Sequence, residues 1–133
     1  MAREKKIHRR TIRSMEDLVS RISSVFLNLR IEDTNDGINE ALKLIGTYFR
    51  ADRAYLFLLS EDKTRLNNTH EWCSAAAEPQ IDSLQDIPVS ALPWWMEKLS
   101  SLSDISVSEV SAMPEEASAE RKMLEAQGIR SFL

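Results

Sequence analysis

Residues 67–73, asparagine-asparagine-threonine-histidine-glutamate-tryptophan-cysteine, put an imidazole, a carboxylate, an indole and the chain's single cysteine in four consecutive positions. These side-chain types hold metals, move protons and attack electrophilic centres, provided that they converge. Residues 65–73 read as a β-strand, in which neighbours point to opposite faces. That parity puts Leu66, Asn68, His70 and Trp72 on one side and Asn67, Thr69, Glu71 and Cys73 on the other. A nucleophilic Cys73 needs a base within hydrogen-bond reach, and the alternation turns His70 away from it. A protein-caged zinc needs about three or four ligands. The chain offers one cysteine and two histidines, His8 and His70, without C-x-x-C or H-E-x-x-H spacing. No catalytic residue and no metal site is expected. His70 keeps two readings: a hydrogen-bonded strand histidine, or a polar group facing a small-molecule pocket beside Trp72.

The elements that position this stretch follow from periodicity. Met15, Leu18, Ile22, Val25 and Leu29 recur at alternating intervals of three and four, an a/d stripe that suits a core helix or a seam with a second copy. Ser14, three residues before Asp17, resembles a capping box with the shorter acid. Asp33, Thr34 and Asn35 then interrupt the pattern. Ile38, Ala41, Leu42, Ile45, Tyr48 and Phe49 mark the buried face of a second helix. Residues 54–60 are apolar at both parities, as in a strand covered on both faces, and residues 61–64 turn it into the returning strand 65–73. Residues 74–92 are irregular, and a loop of that length inside a small domain reads as a lid. Pro93 opens a short helix, and Trp95, Met96 and Leu99 share one face of it. Ile105 and Val107 read as the inward residues of a strand. Pro114 starts a helix that Gly128 stops, and residues 129–133 enter a further strand.

Composition limits the function classes. At 133 residues, with 43% hydrophobic and 29% charged side chains, the chain suits one α+β domain with a real core. No apolar run approaches the roughly 18 residues of a membrane helix. A lone cysteine fits a reducing compartment, so a cytoplasmic protein is expected. Residues 1–13 form a basic arm, with Arg3, Lys5, Lys6, Arg9, Arg10 and Arg13 against Glu4 alone. The rest of the chain, 14–133, holds 11 of the 17 basic and 20 of the 21 acidic residues. An acidic body repels phosphates, so no nucleic-acid partner and no membrane partner is expected.

The order helix, helix, hairpin, long segment with a short helix, strand, helix, strand resembles the GAF family of sensory domains, relatives of the PAS fold. The resemblance covers 14–133 and rests on "RAYLFLLSEDKTRLNNTHEWC", "DIPVSALPWWMEKLSS" and "AERKMLEAQGIRSFL". It implies an antiparallel sheet with the helices of 14–50 packed on one face and a small-molecule pocket under 74–102. It also implies that a last strand and a closing helix are absent from this chain. The asparagine–lysine–phenylalanine–aspartate–glutamate signature of cyclic-nucleotide binders is missing, as are the lid cysteine of bilin-binding relatives and the several cysteines of the sulfoxide-reducing branch. The resemblance names no cofactor. The expectation is a non-catalytic regulatory input domain of a bacterial signalling protein. It would bind a small molecule, form a homodimer, or both, and act on an output module of histidine-kinase or diguanylate-cyclase type. Candidate ligand-facing residues are Tyr55, His70, Trp72 and Trp95; the candidate dimer seam is Met15, Leu18, Ile22, Val25 and Leu29. Two alternatives stay open, a ligandless dimerisation scaffold using the helix 14–30 and a small thiol-dependent reductase using Cys73.

Overall fold

The computed structural model describes residues 12–133; most of the basic arm, 1–13, lies outside the described residues. The architecture is α+β. Helices α1 (Met15–Leu27) and α2 (Thr34–Tyr48) precede strands β1 (Arg53–Leu59), β2 (Arg65–Cys73) and β3 (Ile87–Pro88), and helices α3 (Pro93–Ser100) and α4 (Ser118–Ala126) follow. The three strands form one antiparallel sheet in the order β1-β2-β3. The chain divides into two compact units, one of residues up to Leu56 with 68–83, the other of 57–67 with 84–133.

In the first unit α1 begins where the Ser14 hydroxyl accepts the Asp17 N–H (3.1 Å), satisfying one of the donors a helix start leaves over. Its inner face packs on α2. Leu18 is only 3% exposed, and Leu29 lies so close over Gly37 that a Cβ there would overlap it. Gly46, two and a half turns further along α2 and so on its other side, has the Trp72 ring of β2 directly against its Cα. The two glycines thus let a leucine and an indole approach the α2 backbone.

The strand parity expected for β2 needs a correction. Ser60 N–H bonds to Arg65 O at the turn end of the hairpin, and Ser74 N–H bonds to Asp52 O at the open end. Residues 53–59 on one strand therefore face 66–73 on the other, so β2 carries one extra residue and contains a bulge. The Thr69 hydroxyl donates to Leu56 O (3.2 Å) within this stretch, a side-chain bond inside the ladder. Residues before the bulge are out of phase with those after it. Leu66 no longer shares the parity of His70 and Trp72, whereas His70 and Cys73 still point to opposite sides.

The hairpin turn is held by Asp62. Its Oδ1 accepts the Ser60 hydroxyl (2.7 Å), the Thr64 hydroxyl (2.8 Å) and the Thr64 N–H (3.1 Å). Those three donors, the Ser60 hydroxyl foremost, lower the carboxyl from 3.8 to about 2. A folded-state value below the unfolded one gives stability that is present above pH 3.8 and is lost as pH falls through about 2. Carbon-detected titration is expected to place the Asp62 midpoint near 2, with Thr64 amide exchange accelerating over the same range. An ordinary midpoint would show that the turn does not hold the carboxylate.

The second unit is built on Val110, Met113, Ala117 and Leu124, all buried, with Trp94, Trp95, Val107, Ile129 and Phe132 packed around them. Pro93 opens α3 as expected. The strands expected near 105–107 and 129–133 shrink to one antiparallel bridge, Val107 with Phe132, which exchange bonds of 2.8 and 3.0 Å. Val110 still donates to Arg130 O but already begins a 3₁₀ turn (Val110–Ala112), and that turn ends the ladder. The helix expected from Pro114 also starts later. A 3₁₀ turn (Glu115–Ala117) comes first, and the Ala117 backbone (φ −96°, ψ 20°) separates it from α4. Gly128 closes α4 at φ 70°, where the Ile129 N–H reaches back to Leu124 O (3.0 Å). The apolar strand β1 is not covered throughout, since Leu58 and Leu59 at its end are about half exposed.

Candidate functional site

The residues singled out in the sequence fall into three environments. His70 and Trp72, after the bulge, face α2. His70 Nε2 lies 3.1 Å from Asn35 Oδ1, and Nδ1 lies 3.0 Å from the Thr69 hydroxyl, so both ring nitrogens are engaged. Trp72 rests on Gly46. A shallow cleft of about 590 Å³ opens beside the histidine, lined by Asn35, Asn39, Thr69, His70, Glu71 and Ile81. It carries a single apolar side chain and a single charge.

On the other side of β2, Glu71 works on the loop. Its two carboxylate oxygens accept the N–H groups of Gln80 (2.9 and 3.1 Å) and Ile81 (2.8 Å), capping the 3₁₀ turn Ile81–Ser83. Arg53 Nε donates to Glu78 O (2.8 Å) and fixes the same loop from β1. The stretch expected as a lid is therefore fastened by charged side chains through residues 78–81. Burial pushes the Cys73 thiol above its ordinary value, and the Glu71 carboxylate adds to this while Arg53 opposes it. Nucleophilic attack requires the thiolate, which this neighbourhood disfavours. Burial likewise raises the Tyr55 phenol; Arg53 pulls against it, and the Glu71 and Cys73 charges add to it. Tyr55 thus belongs with Arg53, Glu71 and Cys73, on the side away from His70 and Trp72.

Trp95 belongs to the second unit, where its ring packs on Phe132 (centroids 5.2 Å apart, 31° between planes). Its N–H donates to the fully buried carboxylate of Glu120 (3.1 Å). Lys98 Nζ sits 5.8 Å over the Trp94 ring. A second cleft of about 490 Å³ in this unit is lined by serines, Glu109, Glu125 and Arg130 together with Val110 and Ile129. Both Trp72 and Trp95 are occupied in packing, and neither of these two clefts is lined by tryptophan, tyrosine or phenylalanine.

No known family's sequence model matches the chain, and no curated protein matches it. Among the described residues no three of histidine, cysteine, aspartate and glutamate gather as metal ligands, and no helix is long and apolar enough to cross a membrane.

The feature that sequence reasoning placed one helical step away is on α1. Of the candidate seam, Leu18 and Leu29 are spent inside the unit against α2, and Ile22 and Val25 are half-buried. The outer face is instead Met15, Val19 (55% exposed) and Phe26, continued by Leu27 (83%) and Ile31 (91%). Residues 18–29 hold one charged side chain, Arg21. A solvent-facing helix ordinarily carries charge on that face. The available signal was the run of hydroxyl residues, Ser20, Ser23 and Ser24, where lysines and glutamates would be usual.

Proposed function

We propose that this chain is a non-catalytic regulatory input domain of GAF type that pairs with a second copy through the outer face of α1. The observation that carries the reading is the uncharged, apolar outer face of α1. Support for the GAF reading comes from the two leading helices, the antiparallel hairpin and the short helix that follows it, whose order is that of the resemblance. On that reading an output module of histidine-kinase or diguanylate-cyclase type is the element regulated. Pairing of α1 would carry the signal, since a change in how two copies cross alters the output modules they hold. Met15, Val19 and Phe26 lie along one exposed stripe, a seam of the kind that two copies of a helix can share.

Light scattering and sedimentation on the purified chain should show a dimer. Val19→Glu combined with Phe26→Glu, both on the outer face, should weaken pairing about 100-fold while helix content stays unchanged. Leu18→Glu should unfold the unit instead, because Leu18 points inward. A parent chain that stays monomeric at high concentration, or an outer-face double variant that stays dimeric, sinks the proposal.

A further inference from the structure

The outer side of β2 after its bulge is not used by the pairing of α1. Ser74 turns its N–H across to Asp52 on β1, so by alternation Trp72 and His70 direct their main-chain groups the same way. Glu71 and Cys73 then direct theirs outward. On that outer side β3 pairs only with Arg65 and Leu66. Among the described residues no backbone group outside the ladder of β1 and β2 bonds to the main chain of Glu71 or Cys73. The cleft beside His70 runs along this open edge, and Asn35 and Asn39, one turn apart on α2, stand at its far wall. The Asn35 oxygen is taken by His70 Nε2, which leaves its NH2 donors for the cleft, while an asparagine amide such as that of Asn39 carries both donors and an acceptor.

Charge narrows what can lie there. Residues 33–40 and 69–83 contain Asp33, Asp36, Glu40, Glu71, Glu78 and Asp82 and no lysine or arginine; Arg30 pairs with Asp33, Lys43 with Glu40, and Arg53 shares the surroundings of Tyr55 and Cys73 with Glu71, so the acidic surplus is three, Asp36, Glu78 and Asp82. We propose that this edge takes an extended, lysine- or arginine-bearing peptide segment of another protein, added as a short strand beside residues 71–73. An open row of main-chain donors and acceptors is matched by an extended backbone. A second copy of β2 is a poor occupant, since it would set carboxylates against carboxylates. A compact organic ligand is also a poor fit, because such molecules want a mostly apolar enclosure and only Ile81 supplies apolar surface. The bulge gives the edge its form by turning His70 to Asn35 and leaving Glu71 at the rim.

The test uses the full chain labelled with ¹⁵N and three synthetic probes: a blocked heptapeptide alternating valine and lysine, its valine–glutamate counterpart, and the lysine peptide with alternate backbone nitrogens methylated. The lysine peptide is expected to bind saturably, to slow amide exchange at Glu71 and Cys73 about tenfold, to shift the Asn35 and Asn39 side-chain signals, and to weaken as salt rises. The glutamate peptide and the methylated peptide should each bind at least about tenfold more weakly, the one losing charge attraction and the other main-chain bonds. Asp36→Lys with Glu40→Lys, both exposed on α2, should reverse the preference between the two unmethylated peptides. Equal binding of the methylated probe overturns strand addition, and equal binding of the glutamate probe overturns the charge requirement. Edge amides already protected in the chain alone, and released when the cations of residues 1–13 are replaced by serine, would make the chain's own basic segment the occupant and overturn the partner.

Discussion

Replacing Gly46 by valine is expected to remove about 3 kcal/mol or more of folding stability, a large share of what a domain this size possesses. A Cβ built on Gly46 would overlap Cε3 and Cζ3 at the edge of the Trp72 ring, so the helix and the strand cannot both stay where they are. Alanine makes the opposing effects visible. It gains about 1 kcal/mol of helix propensity over glycine, yet overpacking at a rigid ring costs about 1–3 kcal/mol, so a net loss remains. Urea melts of Gly46→Ala, Trp72→Leu and the pair give the decisive comparison. Trp72→Leu alone loses ring burial and should cost about 2–3 kcal/mol. The double variant should lose clearly less than the two single losses together, because removing the ring removes the clash. Strict additivity would mean that α2 and Trp72 do not meet as the structure has them.

That contact also shows where reading the sequence stops. The helix face of Ile38, Ala41, Leu42 and Ile45, the hairpin, the Ser14 cap, Pro93 at the start of α3 and Gly128 at the end of α4 all rest on local patterns, and each appears in the structure. Gly46 and Trp72 lie far apart in sequence, and nothing near either one announces the other. The bulge in β2 is similar. Its extra residue follows from where the two ends of the hairpin register, whereas the period-two pattern of 65–73 assumes a single phase. That shift separates Tyr55 from His70 and Trp72.

The candidate seam failed to separate two stripes on one helix. Positions 15, 18, 22, 25 and 29 and positions 15, 19, 22 and 26 both step by three and four, and they lie tens of degrees apart on the α1 surface. Hydrophobicity cannot choose between them. Which one turns inward is set by Leu29 closing over Gly37, a contact with the next helix. The shortage of charge in 18–29 was therefore legible, while which apolar stripe stays exposed was not.

Glu120 is the residue whose role the sequence conceals most. In a run of glutamates, alanines and basic residues it reads as the solvent face of a helix, yet it is fully buried between Ala117 and Leu124 on α4. One oxygen takes the Trp95 backbone N–H, a donor that the first turn of α3 leaves without a helical partner, and the other has no hydrogen-bond partner among the described residues. Favourable attraction to the start of α3 is worth about 0.3–2 kcal/mol, against several kcal/mol for removing an uncompensated charge from water. The acceptor is therefore the useful part and the charge is the burden. Glu120→Gln, with its amide oxygen on Trp95, is expected to match or exceed the parent in stability, within about 1 kcal/mol. Glu120→Ala should lose about 2–4 kcal/mol, through an orphaned Trp95 N–H and the void left at a fully buried position. Glu120→Lys should lose the most, since it sets a buried cation against a helix start. Urea melts on the three variants decide the matter by rank. If glutamine falls as far as alanine, the carboxylate's charge holds α3 in place and outweighs the cost of its removal from water.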